Sequence, residues 1–112
     1  MTTITIEPAD ETYSIRAGDA VIGETENALS LKEGSYDPVV YVPRDDVAMA
    51  FLEKSDKVTH CPHKGDATHY HIATKSGRIE NAAWSYETPK DQVARIAGHL
   101  AFYPAEVTVE AL

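Results

Sequence analysis

The sequence predicts a mainly β domain, α+β in the broad sense, built of short antiparallel strands with two short helices. Two observations carry this. Apolar and polar residues alternate in many short runs, and Gly, Pro, Asn and Asp separate the runs at close intervals. Helical spacing shows in only two places, near residues 44–52 and after residue 88. No repeat, low-complexity tract or linker divides the 112 residues, a length usual for one domain.

In chain order, Ile4 and Ile6 mark an edge strand that Pro8 ends, and residues 1–12 form an N-terminal extended segment. Residues 13–112 form the domain proper. Tyr13-Ser14-Ile15-Arg16-Ala17, the turn Gly18-Asp19 and Ala20–Thr25 make a hairpin. Ala28–Lys32 is a third strand. Val39-Val40-Tyr41-Val42 is β-branched and aromatic, and it reads as a strand buried on both faces. Pro43 and the acids Asp45 and Asp46 suit a helix N-terminus, with Val47 and Phe51 on one face. Glu53–Lys57 reads as a solvated connection, and His60–Asp66 as a loop broken by Pro62 and Gly65. Thr68–Ala73 and Arg78–Tyr86 pair around Lys75-Ser76-Gly77. Thr88-Pro89 opens a second helix carrying Val93, Ile96, Ala97 and Leu100 on one face, weakened by Gly98. One or two strands close the chain after Phe102.

The net charge of −8 argues against nucleic acid and anionic membrane surfaces, both of which call for clustered Lys and Arg. One cysteine cannot form an internal disulfide and is typical of a reducing compartment. The N-terminus lacks a basic region followed by an apolar core, and no apolar run reaches the roughly 18–20 residues of a membrane span. The expectation is a cytoplasmic protein.

Residues 58–86 hold the only cysteine, the only tryptophan and four of the five histidines. Three chemistries are open there. Zinc would use cysteine and histidine, but there is no Cys-x-x-Cys pair and no helical His-x-x-x-His, and His60 and Cys61 are adjacent and point apart. His69 and His71 share a strand face, where they serve equally as solvated cross-strand residues. Zinc is therefore disfavoured and no cofactor is expected. A thiol enzyme or redox protein would use Cys61, with His60 or Lys64 lowering its pKa. Against this, a lone cysteine packs well as a small hydrophobe. A binding site would place Lys64 and Gly65 against an aromatic wall of Trp84, Tyr86 and Tyr70, with Arg44 as a further cation. Against this, Trp and Tyr on a strand are good core residues, and Arg44 can pair with Asp45, Asp46 or Glu53. His99, near a helix end, reads as a dipole contact.

Four blocks carry a family resemblance: Val42–Val47, Thr59-His60-Cys61-Pro62-His63-Lys64-Gly65-Asp66-Ala67, Glu80-Asn81-Ala82-Ala83-Trp84-Ser85-Tyr86, and Ile96–Tyr103. Over residues 13–110 the chain resembles a family of small bacterial and fungal proteins catalogued as a domain of unknown function and sometimes labelled nucleotidyltransferase-like. The resemblance implies a compact, mainly β fold, by analogy a β-tent, in which two sheets lean together over a pocket. It places His60, Cys61, Pro62, Lys64, Gly65 and Ala67 on one family motif and Trp84 and Tyr86 on another. It also marks departures at His63 and His69, where family members commonly carry an aromatic, and this weakens a shared metal site. The nucleotidyltransferase label finds no chemical counterpart, since Gly-Ser followed by paired aspartates and a phosphate-binding glycine loop are both lacking.

The reading is a small-molecule binding domain with its pocket between the 59–67 loop and the Trp84/Tyr86 strand. The alternatives are a thiol-dependent enzyme or redox protein using Cys61, and a homodimerising interaction module.

Overall fold

Alternation and closely spaced turns dominate the chain as they do the sequence. The computed structural model describes residues 3–112. Ten strands follow in order: β1 (Ile4–Pro8), β2 (Tyr13–Ala17), β3 (Ala20–Thr25), β4 (Leu29–Glu33), β5 (Val39–Tyr41), β6 (Leu52–Cys61), β7 (Gly65–Thr74), β8 (Gly77–Ser85), β9 (Ala101–Phe102) and β10 (Val107–Ala111). They form three antiparallel sheets rather than two, in the orders β1-β4-β5, β10-β2-β3 and β6-β7-β8-β9. β1 is an edge strand, and its ladder with β4 continues through Pro8, opposite Leu29. Among the described residues no helix is long and apolar enough to cross a membrane.

The two expected helices are 3-10 segments instead, at Arg44–Asp46, Met49–Phe51 and Asp91–Ile96. The first helix is broken because Val47 is extended and bridges Gly23 of β3. That contact requires glycine, since a Cβ on Gly23 would lie 2.8 Å from the Asp46 carbonyl oxygen. The second breaks at Val93, whose φ of −124° leaves helical space. Val93, Ile96 and Leu100 are nevertheless fully buried. Helical spacing thus marked three of the four inward residues on the wrong backbone, and Ala97, the fourth, is exposed.

Glu53–Lys57, expected as a connection, belongs to β6, and the expected 60–66 loop is a tight hairpin with Cys61 opposite Gly65. β6 is an edge strand with mostly exposed side chains, so it carries charge where a central strand would carry apolar residues. β5 is not buried on both faces along its length. Tyr41 and Val42 are buried, while Val39 and Val40 are only half-buried.

The four-stranded sheet separates two cores. On one face Tyr70, Ile72, Ala83 and Phe102 pack with Ile15, Ala17, Ile22 and Val107 of the β10-β2-β3 sheet. On the other, Ala67, Tyr86 and Ala101 pack with Leu31 and Tyr41 of the β1-β4-β5 sheet and with Val93 and Ile96. The long strands bend at bulges between Lys54 and Val58 and between Tyr70 and Ile72. A short polar chain ties these bulges together. Ser55 donates to Asn81 Oδ1 at 2.5 Å, and the Asn81 N–H donates to His71 Nδ1 at 3.0 Å. Asn81 sits in the left-handed region, at φ 50°.

Asn81→Ala therefore loses both the Ser55 partner and a residue tolerant of that φ, at a cost of about 1–3 kcal/mol. Asn81→Gly keeps the backbone and is expected to lose clearly less. Urea unfolding midpoints measure both. Equal losses would put the whole cost on the hydrogen bond.

Candidate functional site

The β6–β7 hairpin tip, Pro62-His63-Lys64, sets the position of one cation. The Lys64 N–H donates to the Cys61 carbonyl at 3.2 Å, and Gly65 follows at φ +113°, which side chains rarely adopt. The segment after residue 88 holds the tip from behind. The Lys90 N–H donates to the Lys64 carbonyl at 2.9 Å, and Gln92 Nε2 donates to the His63 carbonyl at 2.8 Å. So held, the Lys64 side chain is only 13% exposed. Its Nζ lies 2.8 Å from Glu33 Oε1. It also sits 5.8 Å from the Tyr86 ring centroid, a cation–π distance.

An aromatic wall faces this cation. Trp84 and Tyr86 share a face by strand alternation. Tyr41 meets Trp84 edge-on at 6.4 Å and 89°, and Trp84 Nε1 donates a long bond of 3.4 Å to the Tyr41 hydroxyl. Tyr103 packs against Trp84 with centroids 4.5 Å apart and shares a 3.0 Å hydrogen bond with His69 Nε2. Val39, Tyr41, Thr59, Lys64, Trp84, Tyr86 and Tyr103 line a cleft of about 200 Å³.

The site's electrostatics hold its phenols neutral. Burial pushes Tyr41, Tyr86 and Tyr103 above the ordinary phenol range. Burial pulls the Lys64 ammonium down, but the Glu33 hydrogen bond and nearby groups outweigh it, so its pKa is raised. Burial, helped by the charge of Lys57, lowers the His69 pKa, and the ring stays neutral near pH 7. The cleft thus offers a charge-compensated ammonium and neutral hydroxyls, which suits hydrogen bonding to a ligand.

Of the residues singled out in the sequence, Lys64, Gly65, Trp84 and Tyr86 come together here. Cys61 is half-buried against the same apolar cluster. His60 does not join them. Its side chain is 63% exposed and pairs with Asp66 at 2.7 Å. Tyr70 does not join the wall either, because it lies opposite Ala83 while His69 lies opposite Trp84. Its hydroxyl donates to Glu87 Oε1 at 2.6 Å. Arg44 belongs to that second cluster, 5.8 Å from the Tyr70 ring centroid, with Nη2 bonded to both Glu87 oxygens and Nε to the Gly98 carbonyl. Both read as structural.

His71 Nδ1 accepts from the Asn81 backbone, so His60, His69 and His71 go to three different places. Thr59, at the start of the expected 59–67 loop, lines the cleft as well. Sequence reasoning missed Glu33, Tyr41 and Tyr103. They arrive from other strands, and nothing local to them signals a site.

The pKa shifts fix how stability follows pH. A buried tyrosine with a raised pKa stabilises the fold fully below about pH 10, and that contribution is lost as pH rises through the folded value. His69, with a lowered pKa, contributes above pH 6.5, and that is lost as pH falls below it. Thermal melts are expected to decline on both sides of a plateau between these limits. An ultraviolet titration is expected to show Tyr41 and Tyr86 ionising above the ordinary phenol range. His69→Gln is expected to flatten the acid limb; an unchanged limb would remove His69 as its cause.

No curated protein matches the chain. Residues 5–111 match the family described as a domain of unknown function, DUF427, a span that takes in most of β1 as well as the residues that carried the resemblance. The chain therefore belongs to the DUF427 domain family.

Proposed function

We propose that the domain binds a small, planar, uncharged molecule with a carbonyl group, seated between Lys64 and the Trp84/Tyr86 wall. The observation that carries this is the Lys64 ammonium, held at low exposure by its hairpin and by Glu33 beside the Tyr86 ring. An ammonium has three donors, and one goes to Glu33, which leaves two to meet a carbonyl. Glu33 already balances the charge, and the chain carries a net −8, so an anion gains little here. The rings supply a planar apolar surface.

A second reading follows from Thr59. It lines the cleft, and Cys61, two residues on in the same strand, faces the same side with Lys64 close by. This keeps a thiol-dependent reaction as the alternative, with Cys61 as the nucleophile and Lys64 beside it.

Trp84 is the only tryptophan and lines the cleft, so its emission reports binding directly. With benzamide as the probe, a saturable emission change is expected. Lys64→Gln is expected to weaken it at least tenfold, through loss of a charged hydrogen bond, and Arg44→Ala to leave it unchanged. Equal binding by Lys64→Gln and the native protein would overturn the assignment. Under the thiol reading, Cys61 is alkylated rapidly in the folded protein, and Lys64→Ala slows it; a thiol that reacts only on unfolding would remove that reading.

A further inference from the structure

A second cavity of about 280 Å³ adjoins the Lys64 cleft, and its walls include Val39, Val40, Trp84, Phe102 and Val109. Among the described residues its one charged lining residue is Asp37. The backbone explains why it exists. The Val42 and Leu100 N–H groups each donate to the other's carbonyl at 2.8 Å. In an antiparallel ladder the next rung on that side would join Val40 to Phe102. Yet the bridge stays a single isolated pair. β5 and β9 have splayed apart, and the cavity fills the wedge. This also accounts for β5, whose β-branched residues suit a buried strand while Val39 and Val40 remain half-buried.

Val39 and Trp84 line both cavities, so the two adjoin across these side chains. Their characters differ. One end has Lys64 and the phenols of Tyr41, Tyr86 and Tyr103, while the other is mainly apolar, with Asp37 at its wall. Size matters as well. Small-molecule sites usually occupy roughly 300–1,000 Å³. The cleft of about 200 Å³ and the wedge of about 280 Å³ each fall short alone and reach that range together.

We propose, building on the binding role assigned to the Lys64 cleft, that the ligand is a neutral amphiphile. Its carbonyl head sits at Lys64, and its apolar tail crosses Trp84 and Val39 into the wedge between β5 and β9. The ligand class is thus a planar carbonyl compound with an alkyl or similarly apolar extension.

The test is a series of benzamide, 4-ethylbenzamide and 4-butylbenzamide, read by Trp84 emission and by ligand-observed NMR. Each methylene buried in the wedge tightens binding about three- to fourfold, so the butyl compound is expected to bind at least tenfold more tightly than benzamide. Val40→Asp is expected to flatten the series while leaving benzamide bound as before. Val109→Ser, at the rim, gives the same readout should Val40→Asp fail to fold. A flat series in the native protein, with benzamide binding still dependent on Lys64, would overturn the tail site and leave the head site standing. Alkylbenzenes that bind as tightly as the matching amides, with no effect of Lys64→Gln, would overturn the head site and with it the amphiphile. If no member of the series binds, both assignments fall.

Discussion

Two neighbouring residues, Tyr41 and Val42, set the constraint on which the architecture rests. They are 1% and 0% exposed and enter different cores, Tyr41 between the four-stranded sheet and the β1-β4-β5 sheet, Val42 on the opposite side. Successive side chains in a strand alternate faces, so a one-residue slip here would exchange a tyrosine and a valine between two packed interiors. The register is held on both edges. Leu29 lies opposite Tyr41, and Leu100 bridges Val42. Beyond that bridge β5 and β9 part, and the space between them is lined as a cavity.

The Lys64 site shows how a small domain holds a cation inward with one turn and one carboxylate. Three separate elements act on one short turn: Gly65 gives it its backbone, Lys90 and Gln92 bind its carbonyls from behind, and Glu33 takes the charge. Compensation at 2.8 Å matters because a lone buried ammonium would shed its proton or open the turn. Around it, burial keeps Tyr41, Tyr86 and Tyr103 protonated. The result is a polar but electrically quiet surface beside an apolar one.

Where local pattern and tertiary environment agree, the sequence was a faithful guide. The β2–β3 hairpin, β7, β8 and the closing strands follow from alternation and turn residues alone. β6 escaped because an edge strand needs few apolar residues, so its charges resemble a connection. The helices failed because Val47 was drawn into pairing with Gly23 and Val93 left helical space, neither of which is visible in spacing. In the site, Lys64, Gly65, Trp84 and Tyr86 were legible because they lie in one stretch. Tyr70 was assigned to the wrong face because the wall's cross-strand neighbour is His69, and cross-strand register cannot be read from one strand. Glu33, Tyr41 and Tyr103 depend on sheet order, which composition and periodicity do not encode.

The β10-β2-β3 sheet has a consequence of another kind. β2 pairs with β3 across a two-residue turn, but its other edge is completed by β10, from the far end of the sequence. Ile15 and Ala17 reach their buried state only when Val107 and Val109 arrive on that edge. Closing so long a loop is entropically expensive before any contact compensates it. The β6-β7-β8 meander, by contrast, assembles from contacts local in sequence. The sheets thus differ in the chain they enclose: the central meander closes only short loops, while the β10-β2-β3 sheet joins the two ends of the described chain.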